Sequence, residues 1–234
     1  MKITYLIHSS FALEIEDKVF LFDYPSERYI SERLKETISK IVKDSDLYVF
    51  ISHSHPDHYN PKIFELYDIA KKAVFVLSDD INLKSEDRKG KIKVVEPDKK
   101  YQVDGISINT FKSNDEGVAF LIEISDTKIY YGGDLAKWDW PEFSEEERMS
   151  KVNVFDDVLD ELKDLDIDIA FSNMDERLES WAGPVDFIKT VRPDLFIPIH
   201  TFGNEEWIDD LLEVDLPEEV GIFNYHDTGD TLEI

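Results

Sequence analysis

The segment His53-Ser54-His55-Pro56-Asp57-His58 constrains this chain more than any other. It follows Leu47-Tyr48-Val49-Phe50-Ile51, an unbroken apolar run of strand length, which predicts a strand buried on both faces. Three of the six histidines and one carboxylate therefore sit within six residues at the end of a strand. Pro56 stops the hydrogen-bond ladder and turns the chain, so that the side chains converge from a loop instead of alternating across a sheet. Imidazole and carboxylate are the ligand types that suit Zn²⁺ and its neighbours.

The order His-x-His-x-Asp-His resembles the metal-binding signature of the metallo-β-lactamase superfamily. The resemblance covers essentially the whole chain, from His8 to His200 and a closing turn. It implies an α+β fold, the αβ/βα four-layer sandwich, with a site along one rim of two sheets. It also implies a single domain over residues 1–234.

Composition narrows the chemistry. With no Cys, disulfides and thiolate metal sites are excluded, and any metal must be held by His, Asp or Glu. The 52 acidic and 26 basic side chains give a net charge of −26, a field that repels phosphate backbones and disfavours nucleic-acid processing. No stretch approaches the roughly 20 apolar residues of a membrane span. The start, Met1-Lys2-Ile3-Thr4-Tyr5-Leu6-Ile7-His8, lacks a signal-peptide pattern and reads as the first strand, so a cytoplasmic location is expected.

Hydrophobic periodicity predicts strands at 2–8, 11–16, 19–24, 47–51 and 73–77, and one near 92–96 within a charged, turn-rich stretch at 79–100. Further strands are expected at 105–111, 117–125, 128–131, 167–171 and 195–199, with the last near 220–225 and at 231–234. Helices are expected at 27–43, with Ile30, Leu34, Ile38 and Ile41 inward, and after Asn60-Pro61, with Phe64, Tyr67 and Ala70 inward. Others fall at 144–164, 184–191 and after Asn204. The third carries Met149, Val152, Phe155, Leu159 and Leu162 at helical spacing, and Ser144 with Glu147 forms a capping box. His226-Asp227-Thr228-Gly229-Asp230 reads as a plain hairpin turn outside the site.

Two further segments match the superfamily. Tyr131-Gly132-Gly133-Asp134 is a strand end followed by two glycines, and the resemblance makes Asp134 a ligand that bridges two metals. Leu195-Phe196-Ile197-Pro198-Ile199-His200 ends a buried strand with the residue that matches the final ligand. The expected ligands are thus His53, His55, Asp57, His58, Asp134 and His200. His8 is expected to orient a ligand by hydrogen bonding. Asp23-Tyr24-Pro25 matches a family turn. Trp138 and Trp140 read either as an apolar substrate wall or as packing residues, with Trp181 and Trp207 in later loops.

One departure divides the site. The family's additional His, between the cluster and Asp134, is missing, since no His lies between His58 and His200. Ser113, Asn114, Asp115 and Glu116 are the residues available there. By the family pattern one metal position keeps only His53, His55 and a share of Asp134, whereas the other keeps Asp57, His58, His200 and Asp134. One ion is expected, or two with one weakly held: Zn²⁺ first, with Mn²⁺ or Fe²⁺ admitted by the oxygen donors.

Asp57 is either a ligand or the group that takes a proton from the attacking water. The resemblance implies a metal-dependent hydrolase acting on a small ester, lactone or phosphodiester, with neither nucleic acid nor membrane as partner. The alternative is a non-catalytic metal-binding or scaffold member whose first site has decayed.

Overall fold

The computed structural model describes residues 1–84 and 89–234. Part of the charged stretch at 79–100, residues 85–88, lies outside the described residues. The chain forms two compact units, Met1–Glu96 with Tyr225–Ile234, and Pro97–Asn224.

The first unit is built on a seven-stranded mixed sheet. In chain order its strands are β1 (Lys2–Ile7), β2 (Ser10–Ile15), β3 (Lys18–Phe22), β4 (Asp46–Ile51), β5 (Lys72–Ser78), β6 (Lys91–Val95) and β14 (Thr231–Glu233). The spatial order is β14-β1-β2-β3-β4-β5-β6. β1 to β3 form an antiparallel meander, and β3 to β6 run parallel. Because β1 and β3 are each antiparallel to β2, the carboxyl ends of β1, β3 and β4 share one edge of the sheet.

Helix α1 (Glu32–Val42) crosses between β3 and β4. The Ser31 hydroxyl caps it by accepting the Leu34 amide at 3.1 Å. Leu34, Ile38 and Val42, spaced four apart, are buried with Val49, Ile51, Phe75 and Leu77 in the unit's core. The helix begins five residues later than expected, and Ile41 is only partly buried. Pro61–Asp68 forms a 3-10 helix capped by the Asn60 side chain. Its tighter winding buries Ile63, Phe64 and Leu66 and turns Tyr67 outward, against the α-helical expectation.

The second unit mirrors this plan. Its strands are β7 (Lys100–Val103), β8 (Ile106–Lys112), β9 (Val118–Ile124), β10 (Thr127–Tyr131), β11 (Ile169–Asn173), β12 (Leu195–Ile199) and β13 (Gly221–Ile222), in the order β13-β12-β11-β10-β9-β8-β7. The meander is β7 to β10, and β10 to β13 are parallel. The sequence reading missed β7, a short edge strand with two exposed residues.

Helix α2 (Glu145–Leu162) opens with the expected reciprocal capping box of Ser144 and Glu147. Phe155, Val158, Leu159 and Leu162 pack with Phe187, Ile188 and Val191 of α3 (Pro184–Val191). Met149, expected inward, is exposed, since the first turns of α2 lie outside the core. Gly183 precedes α3 at φ +99°, and a Cβ there would lie 2.8 Å from the Phe155 ring, so only glycine admits this approach. A short helix α4 (Trp207–Leu212) follows β12.

The expected final hairpin does not form. β13 pairs with β12, and β14 pairs with β1, so the last two strands belong to different sheets. Among the described residues, no helix is long and apolar enough to cross a membrane. The class is α+β, two mixed sheets with helices.

Candidate metal centre

In the first unit the donors follow the carboxyl ends of β1, β3 and β4, where a sheet leaves its last polar groups for a ligand. His8 and Asp23, the first residues after β1 and β3, have φ of +53° and +46°. Such left-handed backbone in residues with a Cβ is strained and persists where the surroundings fix it.

The Asp23 carboxylate supplies that fixing. Fully buried, it accepts the Ser52 amide at 2.8 Å and the Ser52 hydroxyl at 2.9 Å, and lies 2.6 Å from His58 Nδ1. An ionised carboxylate only accepts, so His58 carries its proton on Nδ1 and keeps the Nε2 lone pair for a metal. The Ser52 hydroxyl spends its hydrogen on Asp23. It therefore accepts from His53 Nδ1 at 2.9 Å, which leaves the lone pair of His53 on Nε2.

His53 Nε2 lies 3.1 Å from His55 Nδ1. That is hydrogen-bond distance, and it is also close to the roughly 3.3 Å between two nitrogens that a single tetrahedral Zn²⁺ would hold at about 2.05 Å. His8, Asp57 and His58 each bring a ligand atom within 4.8 Å of the others. Asp57 Oδ2 is 3.7 Å from His8 Nε2 and 3.9 Å from His58 Nε2. His8 thus stands among the donors, beside Asp57.

In the second unit the donors follow β10, β11 and β12. Gly132 lets its strand end lie against β11: its amide donates to the Phe171 carbonyl at 2.9 Å, and a Cβ would approach that oxygen to 3.2 Å. The Asn173 amide clamps the next turn by donating to the carbonyls of Gly133 and Leu135 at 2.7 and 3.1 Å. Trp138 Nε1 donates to the Asp134 carbonyl at 2.9 Å. The buried Asp134 carboxylate is held by these backbone contacts 3.8 Å from His200 Nε2. His200, at φ +68°, has its ring between those of Trp138 (5.1 Å) and Phe202 (4.4 Å).

Sequence reasoning missed Asp175. It is fully buried, 3.8 Å from His200 Nδ1, and takes a two-pronged grip from the Arg177 guanidinium. Asp23 and Ser52 were likewise not assigned their roles. Their signal was position alone, a polar residue one or two places beyond an apolar strand.

The segment without the family's His resolves into separate tasks. Asn114 Nδ2 donates to the carbonyls of Ala136 (2.6 Å) and Lys151 (2.7 Å), so its side chain is structural. Ser113 Oγ accepts the Asp115 amide at 3.1 Å. Asp115 brings a carboxylate oxygen within 4.8 Å of that of Asp134. Both line a cavity of about 240 Å³ with His200, Trp138 and Trp140. Trp181 and Trp207 pack against the unit's core, and His226 lies in an exposed turn.

The donor chemistry fits a divalent cation of borderline softness: imidazoles, two of them buried with their tautomers set by hydrogen bonds, and carboxylates, with no thiolate.

A family model described as "Beta-lactamase superfamily domain" matches residues 2–200. Among solved structures, the metallo-β-lactamase fold protein YhfI from Bacillus subtilis is similar at a TM-score of 0.64 and 14% identity, covering 99% of this chain and 98% of its own. An isothiocyanate hydrolase from Delia radicum gut bacteria is similar at 0.54 and 16%, covering 100% and 99%. The diiron β-hydroxylase CmlA from Streptomyces venezuelae is similar at 0.60 and 9%, covering 100% of this chain and 54% of its own. At these identities the structures speak for the fold alone. No curated protein matched the sequence. With a family model over residues 2–200, a metallo-β-lactamase-type fold and a donor set of imidazoles and carboxylates, the chain belongs to the metallo-β-lactamase superfamily.

Proposed function

We propose that the protein is a metal-dependent hydrolase that uses activated water on a small ester, lactone or phosphodiester. The observation that carries this reading is the convergence of His8, Asp57 and His58, with the tautomer of His58 set by Asp23. Metal ligation is assigned to His53, His55, Asp57 and His58 of the first unit and to Asp134 and His200 of the second. Asp115 takes the place of the missing His. Zn²⁺ suits the imidazole majority, and carboxylate oxygens also admit Mn²⁺ or Fe²⁺. One or two ions are bound. A cytoplasmic location and a small-molecule substrate belong to the same proposal.

A bound divalent ion supplies Lewis acidity that makes water a nucleophile near neutral pH and polarises the bond under attack. The chain supplies orientation and proton handling. Asp23 holds His58 through Nδ1, and Ser52 holds His53. Asp57 Oδ2 accepts the proton of the attacking water, and His8 Nε2, 3.7 Å away, stabilises the carboxylate that does so. Trp138 excludes water from one side of His200.

A second reading, a non-catalytic metal-binding or scaffold member, rests on one observation: residues 112–117 contain no imidazole. An esterase, lactonase and phosphodiesterase panel run on the metal-reconstituted protein separates the two. Turnover of one class, lost on chelation and restored by metal, is expected. Absence of turnover across the panel with stoichiometric metal would overturn the hydrolase reading in favour of the second.

A further inference from the structure

The cavity beside Asp134 and His200 has aromatic walls, and its cations are held by more than solvent. Arg177 lines it with Trp138, Trp140, Phe143 and Phe202. The Arg177 guanidinium is fixed on three sides. Nε donates to Asp175 Oδ1 at 2.7 Å and Nη2 donates to Asp175 Oδ2. Its central carbon lies 5.2 Å from the Trp140 ring and 5.1 Å from the Phe202 ring, a cation between two π-faces.

The anchors have ring contacts of their own. Trp140 stacks on Trp138, 6.3 Å away at 11°, and Phe202 meets His200 edge-on. Asp175 is fully buried, whereas the Arg177 side chain is about half exposed. Its Nη1 has no hydrogen-bond partner among the described residues. A planar donor fork held this way loses little freedom when it binds an oxyanion.

Local charge points the same way. Asp115, Asp134 and Asp175 are set against Lys151 and Arg177, and a divalent ion on the first two carboxylates would leave the cavity positive. With that ion bound, the cavity would differ in sign from the chain as a whole, which carries −26. An aromatic-walled cavity of about 240 Å³ that turns positive once a divalent ion is bound suits a small substrate with an apolar body and an anionic group.

Resting on the hydrolase reading, we infer that Arg177, held between Trp140 and Phe202, is a specificity-determining residue that binds a carboxylate or phosphate group of the substrate through Nη1. The substrate class narrows accordingly to small anionic esters, lactones or phosphodiesters.

The test is binding, read by quenching of tryptophan fluorescence in the metal-reconstituted protein. The probes are phenylacetate, phenyl phosphate and the neutral phenylacetamide. At least one anion is expected to saturate at a concentration tenfold or more below the amide, and the pair distinguishes a carboxylate from a phosphate site. In Arg177→Met that preference is expected to disappear while affinity for the amide and metal content stay unchanged.

An anion preference that survives in Arg177→Met belongs to the metal and overturns the assignment. So does equal binding of anion and amide by the wild type, or no saturable binding of any probe. If the methionine variant does not fold, Arg177→Lys, which keeps a charge on Asp175, is expected to lose most of the preference, and a preference it retains in full overturns the assignment. Anion selectivity without turnover would sink the hydrolase reading and leave this assignment standing. Turnover of an anionic substrate with a kcat/KM unchanged by Arg177→Met would do the reverse.

Discussion

The two units share a plan, an antiparallel meander running into parallel strands, yet they hold their polar groups in different ways. In the first, three imidazoles and a carboxylate come from one six-residue loop, and one buried carboxylate, Asp23, orders it through three short hydrogen bonds. In the second, Asp134, Asp175 and His200 come from the ends of three neighbouring strands, and the order is carried by backbone clamps from Asn173 and Trp138. A loop donor set depends on the side chain that folds the loop. A strand-end set depends on the sheet itself.

That contrast predicts unequal responses to matched substitutions. Asp23→Asn removes the charge and turns one of the two acceptor oxygens shared by Ser52 and His58 into a donor, and metal affinity should fall roughly 10–100-fold, read by competition with a chelating dye. Asp175→Asn should cost less than about tenfold, because Asp175 stands 3.8 Å from His200, beyond hydrogen-bond reach. A larger loss in the second variant would break the distinction.

Helix caps sharpen the comparison at smaller scale. Ser144→Ala deletes both bonds of the Ser144 hydroxyl, one accepted from the Glu147 amide and one donated to its carboxylate, and should cost about 1 kcal/mol in urea unfolding. Ser31→Ala, which deletes one bond, should cost about half that.

The smallest effects concern two carboxyls with opposite shifts. In the first unit the amides of Asp227 and His226 hold Asp230 below the usual carboxylate range. Its contribution is therefore present above the unfolded value and lost as pH falls through the folded one. In the second unit burial, helped by nearby Asp210, pushes Glu176 up. Its contribution is present below the unfolded value and lost as pH rises through the folded one. Asp230→Asn should lower the melting temperature at pH 7 and converge on wild type in acid. Glu176→Gln should raise it at pH 7 and converge likewise. Shifts of the same sign at pH 7 would contradict the contrast.

What was legible in the sequence follows the same division. The histidine loop could be read because its donors are adjacent in the chain, behind a run, Leu47 to Ile51, that only a buried strand explains. Pro184–Val191 and Leu195–Ile199 fell where periodicity put them, since a glycine, a proline and a buried run set their limits locally. Asp134 and His200 were reached only through family resemblance, because a lone carboxylate or imidazole after a strand has no local mark. Asp175 carried no such help and was missed. Long-range pairing hid the rest: β14 joins β1 more than 220 residues away, and nothing in residues 226–230 distinguishes that turn from a hairpin. Tyr67 and Met149 faced outward because a 3-10 winding and an overhanging first turn broke the assumed period.

Metal content measured directly, by elemental analysis of wild type, His58→Ala and Asp134→Ala after reconstitution with zinc, manganese or iron, bears most directly on the donor assignment. Stoichiometric divalent metal in the wild type and its loss in both variants is the predicted result. A wild type that takes up none of the three, or a His58→Ala protein with undiminished metal, would contradict it.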